Sequence, residues 1–130
     1  MINWLFLFVS ALLIPVMMIF FGKYMGKKAP DKINMVFGYR TARSMKNEAT
    51  WKFAHNHFGR LWFINGLWLC AVTVLAMVCL FFFRNNEDLV GNCTVGVMFV
   101  QMVVMIIPIF FTERALKKNF DEDGNRIAKE

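Results

Sequence analysis

Long stretches of this 130-residue sequence contain no charged residue. The three uncharged runs cover residues 2–21, 61–83 and 95–112, and none of them contains an Asp, Glu, Lys, Arg or His. A proton relay or a charge-coupled transporter normally places an ionisable side chain inside the membrane. The absence of such side chains therefore argues against both of these functions.

Residues suited to catalysis or to metal binding are also few. Cys70 and Cys79 lie in the second uncharged run and Cys93 lies just before the third, so no disulfide framework is expected. His55 and His57 are two residues apart, which directs them to different faces of a helix and prevents them from sharing one metal ion. No nucleophile, base and orienting residue form a recognisable group. We expect no catalytic residue, no metal, no cofactor and no enzymatic activity.

Apolar residues are abundant, at 58% of the chain, against about 45–50% in soluble proteins. The uncharged runs are 20, 23 and 18 residues long, and about 20 helical residues cross the hydrocarbon core of a bilayer. The third run needs residues from 93 onward to cross comfortably. The sequence predicts a single all-α membrane module over residues 1–130, with three transmembrane helices at about 2–22, 61–83 and 93–112.

Positive charge is concentrated on one side of these spans. Residues 23–60 contain nine Lys or Arg residues, whereas residues 84–94 contain one. Because loops rich in Lys and Arg stay in the cytoplasm, the loop 23–60 and the tail 113–130 are predicted to be cytoplasmic and the N-terminus to be outside. Orientation accounts for the net charge of +6, so we expect no nucleic-acid partner.

Polar side chains are rare within the spans. Those away from the ends of the spans are Ser10, Asn65, Thr73 and Gln101. Ser10, Thr73 and Gln101 lie at similar depth and could meet, and hydrogen bonding between helices is favoured over a substrate path. Pro15 and Pro108 each remove one backbone hydrogen bond, which bends a helix or frees a carbonyl.

The segment before the second span has helical character. Ser44 is a plausible N-cap, and Asn47 competes with it three residues later. From there, an apolar stripe that also includes His55 recurs every three or four residues, at Trp51, Ala54, Phe58 and Trp62. This pattern predicts a cytoplasmic amphipathic helix, lying at the membrane interface, that leads into the second span.

Two glycines, Gly22 and Gly26, have the spacing of a helix-packing motif. They stand beside Lys23 and Lys27 at the predicted membrane edge. The end of the first helix is the favoured interpretation of this pair.

The segment 34–51 combines features that suit an anion. Tyr39 supplies an amphipathic ring, Arg40 and Arg43 supply planar donors, and Ser44 would open a helix with its positive end nearby. Physical reasoning leaves two uses open. The segment could anchor the protein to lipid phosphates, or it could recognise a specific acidic or polar ligand.

The same segment carries a family resemblance. Gly38-Tyr39-Arg40-Thr41, followed by Ser44-Met45-Lys46-Asn47 and then Trp51, Ala54 and Gly59, closely resembles the signature of the SdpI-like family of bacterial membrane proteins. By this resemblance the functional signature comprises Asn34, Gly38, Tyr39, Arg40, Thr41, Ser44, Met45, Asn47 and Trp51, and physical reasoning adds Arg43 as a candidate binding residue. The resemblance extends to Glu113 and into the tail.

The resemblance implies a location in the bacterial inner membrane and a function. The family takes its name from immunity proteins, which protect a producing bacterium from its own secreted peptide toxin. Immunity or receptor-like binding of a membrane-active peptide is therefore the leading hypothesis. The alternatives are recognition or transport of anionic lipid headgroups and a structural role in a membrane complex with a protein partner at the cytoplasmic face.

Overall fold

The computed structural model describes residues 2–27 and 39–127, which form three helices. They are α1 (Ile2–Lys27), α2 (Glu48–Phe81) and α3 (Glu87–Asn119). All three are long and apolar enough to cross a membrane, which confirms the predicted all-α fold with three transmembrane helices. In these described residues the only β pairing is an isolated bridge between Phe120 and Arg126, where the chain folds back after α3.

The helices run antiparallel in sequence order. At one end, which we term the connection end, Trp4 Nε1 donates to the carbonyl of Met77 and the turn at 82–86 joins α2 to α3. At the other, which we term the signature end, the segment 39–47 and the tail 120–127 pack against the first turns of α2. Here His57 Nδ1 of α2 lies 3.2 Å from Thr112 Oγ1 of α3. The uncharged runs align along the bundle between these two ends.

The closest packing joins α1 to α2 through glycines. A Cβ on Gly22 would lie 2.5 Å from the backbone nitrogen of Phe63, and a Cβ on Gly59 would lie 2.6 Å from the nitrogen of Gly26. Only glycine permits this approach. The interpretation of Gly22 and Gly26 as a helix end was wrong for Gly22, because α1 continues to Lys27 and its glycines lie against α2.

α2 is one continuous helix of 34 residues, longer than a bilayer requires. Its first turns carry the predicted apolar stripe, and Trp51, Ala54, His55 and Phe58 of this stripe are buried inside the protein. The part at 48–60 is thus a direct extension of the second span. Its placement at a membrane interface stays a prediction.

Most of the outer surface is apolar along the uncharged runs. Phe6, Trp68, Phe99 and Phe110 each expose more than two thirds of their surface. Large apolar side chains on every helix would be unfavourable in water but suit contact with lipid chains. The structure therefore fits a multi-pass membrane protein.

A hydrogen-bonded cluster joins all three helices near the middle of the uncharged runs. Gln101 Nε2 donates to Thr73 Oγ1 and to the carbonyl of Ala11, both at 2.8 Å. Pro15 has no N–H to bond that carbonyl, so the glutamine on α3 supplies the missing donor. Thr73 and Gln101 meet as predicted.

Ser10 does not join this cluster, because its hydroxyl donates to Phe6 O within α1. Asn65 is half-buried on α2 and is not one of the hydrogen-bonding residues of the cluster. On α1, the hydrogen-bond partner of Gln101 is the backbone carbonyl of Ala11, which Pro15 leaves without an N–H donor, and not the predicted hydroxyl of Ser10.

Candidate functional site

Tyr39 is a buried residue of the signature and contacts both α2 and α3. Its ring packs on Phe58 at a centroid distance of 4.7 Å, and its hydroxyl donates to Glu113 Oε1 at 2.7 Å. Burial, together with the hydrogen bond to the Glu113 carboxyl, raises the pKa of the Tyr39 phenol. Tyr39 therefore remains a neutral donor that ties the segment 39–47 to α3.

His55 connects the same segment to α2. The backbone N–H of Tyr39 donates to His55 Nε2 at 2.9 Å, and His55 Nδ1 lies 2.8 Å from the carbonyl of Trp51. A carbonyl can only accept, so the proton resides on Nδ1 and leaves Nε2 as the acceptor. These contacts require a neutral imidazole in this one tautomer. His55 acts here as a structural bridge and is fully buried.

Thr41 and Ser44 close the loop by bonding to each other. Ser44 Oγ accepts from the Thr41 N–H at 2.9 Å and donates to the Tyr39 carbonyl at 2.9 Å. In return Thr41 Oγ1 accepts from the Ser44 N–H at 3.2 Å. Because Ser44 is completely buried, its hydroxyl stabilises the turn and is inaccessible to a ligand.

Asn47, the second of the two candidate caps, begins α2. Its Oδ1 accepts from the Thr50 N–H at 2.9 Å, and Thr50 Oγ1 accepts from the Asn47 N–H at 3.1 Å, which forms a capping box. The role of Ser44 as N-cap was wrong, since its hydroxyl is used inside the turn before the helix. Two backbone N–H groups at the start of α2, which could otherwise have bound an anion, thus have hydrogen-bond acceptors within the protein.

The C-terminal tail packs on this cap. Asn47 Nδ2 donates to the carbonyl of Gly124 at 2.6 Å. Gly124 adopts φ +84°, and a Cβ at this position would lie 2.6 Å from Asn47 Nδ2. Glycine is required here by both backbone conformation and space. One asparagine therefore holds the helix start and the tail together.

The two arginines of the segment differ in environment. Arg43 Nε lies 3.9 Å from Glu113 Oε2. The carboxylate that accepts the hydrogen bond from the Tyr39 hydroxyl therefore also faces the Arg43 guanidinium. Arg40 is exposed. The predicted anion site of Arg40, Arg43 and the Ser44 helix start is not assembled as expected, because Arg43 faces an acidic residue and the helix is capped by Asn47.

The remaining signature residues have mixed outcomes. Trp51 is buried and its ring packs on His55 at 4.2 Å, whereas Met45 is half-buried in the turn. Asn34 and Gly38 lie outside the described residues. Whether the signature binds a ligand stays a prediction. Partners within the protein are nevertheless found for Tyr39, Thr41, Arg43, Ser44 and Asn47.

Sequence reasoning missed three partners of the signature: Thr50, Glu113 and Gly124. Thr50 could have been found from the Asn-x-x-Thr spacing of a capping box. Glu113 was included in the family resemblance but not as a partner of this segment, although it is the first charged residue after the third run. The Asn47–Gly124 contact spans 77 positions and has no local signal.

A cavity of about 300 Å³ lies at the connection end. It is lined by Trp4, Phe6, Leu7, Arg84, Glu87 and Val90. Two of these side chains are held by Phe81. The Trp4 ring packs edge-to-face against the Phe81 ring at a centroid distance of 4.9 Å, and the Arg84 guanidinium lies 4.3 Å from the centroid of the same ring. Apolar and charged side chains thus meet in one opening.

Comparison with known families identifies the chain. Residues 31–112, which include the signature segment, α2 and most of α3, match the model of the SdpI/YfhL protein family. The match covers more than half of the chain, and the protein belongs to this family of membrane proteins. Comparisons with curated proteins and with solved structures give no significant match.

Proposed function

We propose that this protein binds a membrane-active peptide toxin at its connection end and thereby confers immunity. Membership of the SdpI/YfhL family supports a link to immunity, and the cavity at the connection end is the observation that favours this surface. We further propose a bacterial inner-membrane location with the N-terminus outside. In that orientation the cavity faces the side from which a secreted toxin arrives.

The cavity has the size and lining expected of a peptide-binding pocket. Its volume of about 300 Å³ is at the lower end of ligand pockets, which suits one or two large apolar side chains. Trp4 is held by its indole hydrogen bond to Met77 O at 3.0 Å, and Arg84 donates to Phe81 O at 3.1 Å. A wall that is already ordered loses little entropy when a ligand binds.

The cavity lining and the adjoining first turn of α3 carry two carboxylates against one cation, Arg84, and this balance favours a cationic peptide. Glu87 and Asp88 occupy the first turn of α3, next to the apolar lining of Trp4 and Leu7. A cationic amphipathic peptide could place an apolar side chain in the cavity and a basic one near these carboxylates. Protection would follow from capture of the peptide, without catalysis. The signature end would hold the bundle or transmit occupancy to a cytoplasmic partner.

The experiment is a survival assay in a sensitive bacterium expressing the protein. Cells are challenged with the purified toxin of a producing strain whose own immunity protein belongs to this family. We compare the parent with Leu7→Trp, which narrows the cavity, and with Leu13→Trp at matched membrane levels. Leu13 is 65% exposed on the same helix and is not part of the cavity lining, so it is the control.

We expect the parent and Leu13→Trp to protect, and Leu7→Trp to lose protection. The narrowed cavity would exclude the apolar side chain of the peptide, while an equal gain in bulk on the lipid-facing side would leave binding intact. Equal protection by both variants would rule out the cavity as the binding surface. No protection by the parent would contradict the immunity function against that toxin.

A further inference from the structure

A second opening lies at the signature end, on the crossing of α1 and α2. It is a groove of about 580 Å³, lined by Lys23, Gly26, Asn56, Gly59, Arg60 and Phe63, together with Gly22. The glycines form the floor, since they bring the two backbones together without side chains. The polar side chains rise on either side of that floor, one cation from each helix.

The groove is positively charged. Lys23 and Arg60 are both exposed, and no acidic residue lines the groove. Within residues 2–27 and 39–127, neither cation forms an ion pair or a hydrogen bond to the protein. This contrasts with Arg43, whose guanidinium faces Glu113. Two cations and the Asn56 amide are thus available as donors to an anion.

The position of the cations along the helices indicates the kind of anion. Lys23 is the first charged residue after the uncharged start of α1, and Arg60 is the last charged residue before the uncharged part of α2. Both therefore stand at one boundary of the hydrocarbon-length segments, at the level of lipid phosphates. Exposed apolar side chains, Phe20 and Ile64, lie close by in sequence on the membrane side of these cations.

We propose that this groove binds the phosphate of an anionic lipid headgroup, with phosphatidylglycerol as the simplest example. The Arg60 guanidinium can donate two parallel hydrogen bonds to phosphate oxygens, Lys23 supplies a second positive charge, and Asn56 supplies a neutral donor. The acyl chains would lie along the exposed apolar faces of α1 and α2. This site is separate from the proposed peptide cavity and does not depend on the immunity function.

The test measures lipid retained by the purified protein. The intact chain is reconstituted in vesicles of phosphatidylglycerol and phosphatidylcholine in equal amounts and extracted in detergent, and bound lipid is quantified by mass spectrometry. The groove variant is Lys23→Gln/Arg60→Gln. The control is Lys52→Gln/Lys117→Gln, which removes the same charge from two exposed lysines elsewhere. Helical content and thermal midpoint establish that each variant is folded.

We expect the groove variant to retain about tenfold less phosphatidylglycerol than the parent, and the control to differ by less than about twofold. Equal losses in the two variants would indicate general surface charge and overturn the proposal, as would unchanged retention in the groove variant. Inorganic phosphate at equal concentration should not displace the lipid. Displacement would identify a free-phosphate site instead of a lipid site.

A second variant tests the groove by its shape. Gly26 lines the groove, and a Cβ at this position would meet no atom within 4 Å, so Gly26→Leu adds bulk to the lining from a position where the first side-chain atom has room. We expect this variant to fold normally and to lose phosphatidylglycerol with no change in charge. Normal retention in folded Gly26→Leu would show that the lipid does not occupy the groove.

Discussion

The two ends of the bundle differ in how their polar groups are used. At the signature end, Tyr39, Ser44, Asn47 and His55 bond to one another's backbone or to neighbouring helices and the tail. At the connection end, α2 passes into α3 through backbone turns, and the Asn86 side chain accepts from the Leu89 N–H alone. The signature end is cross-linked through many side chains, whereas the connection end, where Trp4 bonds to Met77, relies on few such bonds beside its cavity.

This difference bears on whether the signature residues bind a ligand or stabilise the fold. A cluster of polar and aromatic residues can form a ligand site or can maintain a fold. Here the hydroxyls, amide and imidazole of the described signature have partners within the protein, which favours the structural role. The candidate binding surfaces lie elsewhere, in the cavity beside Trp4 and in the groove beside Arg60.

The largest loss is expected from adding a methyl group where α1 and α2 touch. In Gly59→Ala the new Cβ would lie 2.6 Å from Gly26 N and 2.8 Å from Gly22 O, so the backbones must separate. We expect a loss of about 3 kcal/mol in the free energy of unfolding, measured by titration with a denaturing detergent.

Gly96→Ala is the matched control at a position closer to the connection end. A Cβ there would meet no atom within 4 Å, and alanine is the better helix former, so we expect unchanged stability or a gain of up to about 1 kcal/mol. Equal destabilisation by the two substitutions would contradict the tight glycine crossing.

A smaller loss should distinguish the two N-caps. Asn47→Ala removes the capping box of α2 and the hydrogen bond to Gly124, whereas Asn86→Ala removes one bond to Leu89 N–H. We expect losses of about 2 kcal/mol for Asn47→Ala and about 0.5–1 kcal/mol for Asn86→Ala in the same titration. Equal losses would mean that the tail contributes nothing through its contact with the cap.

The smallest effect concerns the link between the signature and α3. Tyr39→Phe keeps the ring on Phe58 but removes the hydroxyl that donates to Glu113. Because Glu113 is partly exposed, we expect Tyr39→Phe to lower the free energy of unfolding by only about 1 kcal/mol. A double-mutant cycle with Glu113→Gln measures this coupling directly, and additive effects of the two substitutions would show that the bond does not stabilise the fold.

Several features of the fold were predictable from local sequence. The three spans follow from uncharged runs of hydrocarbon length, and Asn47 was one of two recognised caps for α2. The meeting of Thr73 and Gln101 followed from their similar depth. Depth is measured along one helix and does not reveal its rotation, which explains why Ser10 was placed in the cluster although its hydroxyl bonds within α1.

The sequence by itself determined that three helices can cross a membrane, because apolarity and length are properties of each segment alone. It also determined the asymmetry of positive charge from which an orientation is predicted. Tertiary structure decided which groups meet: Gly22 with Gly59, Gln101 with the carbonyl freed by Pro15, and Asn47 with Gly124. Such pairs depend on the rotation and register of packed helices, which only the assembled bundle defines.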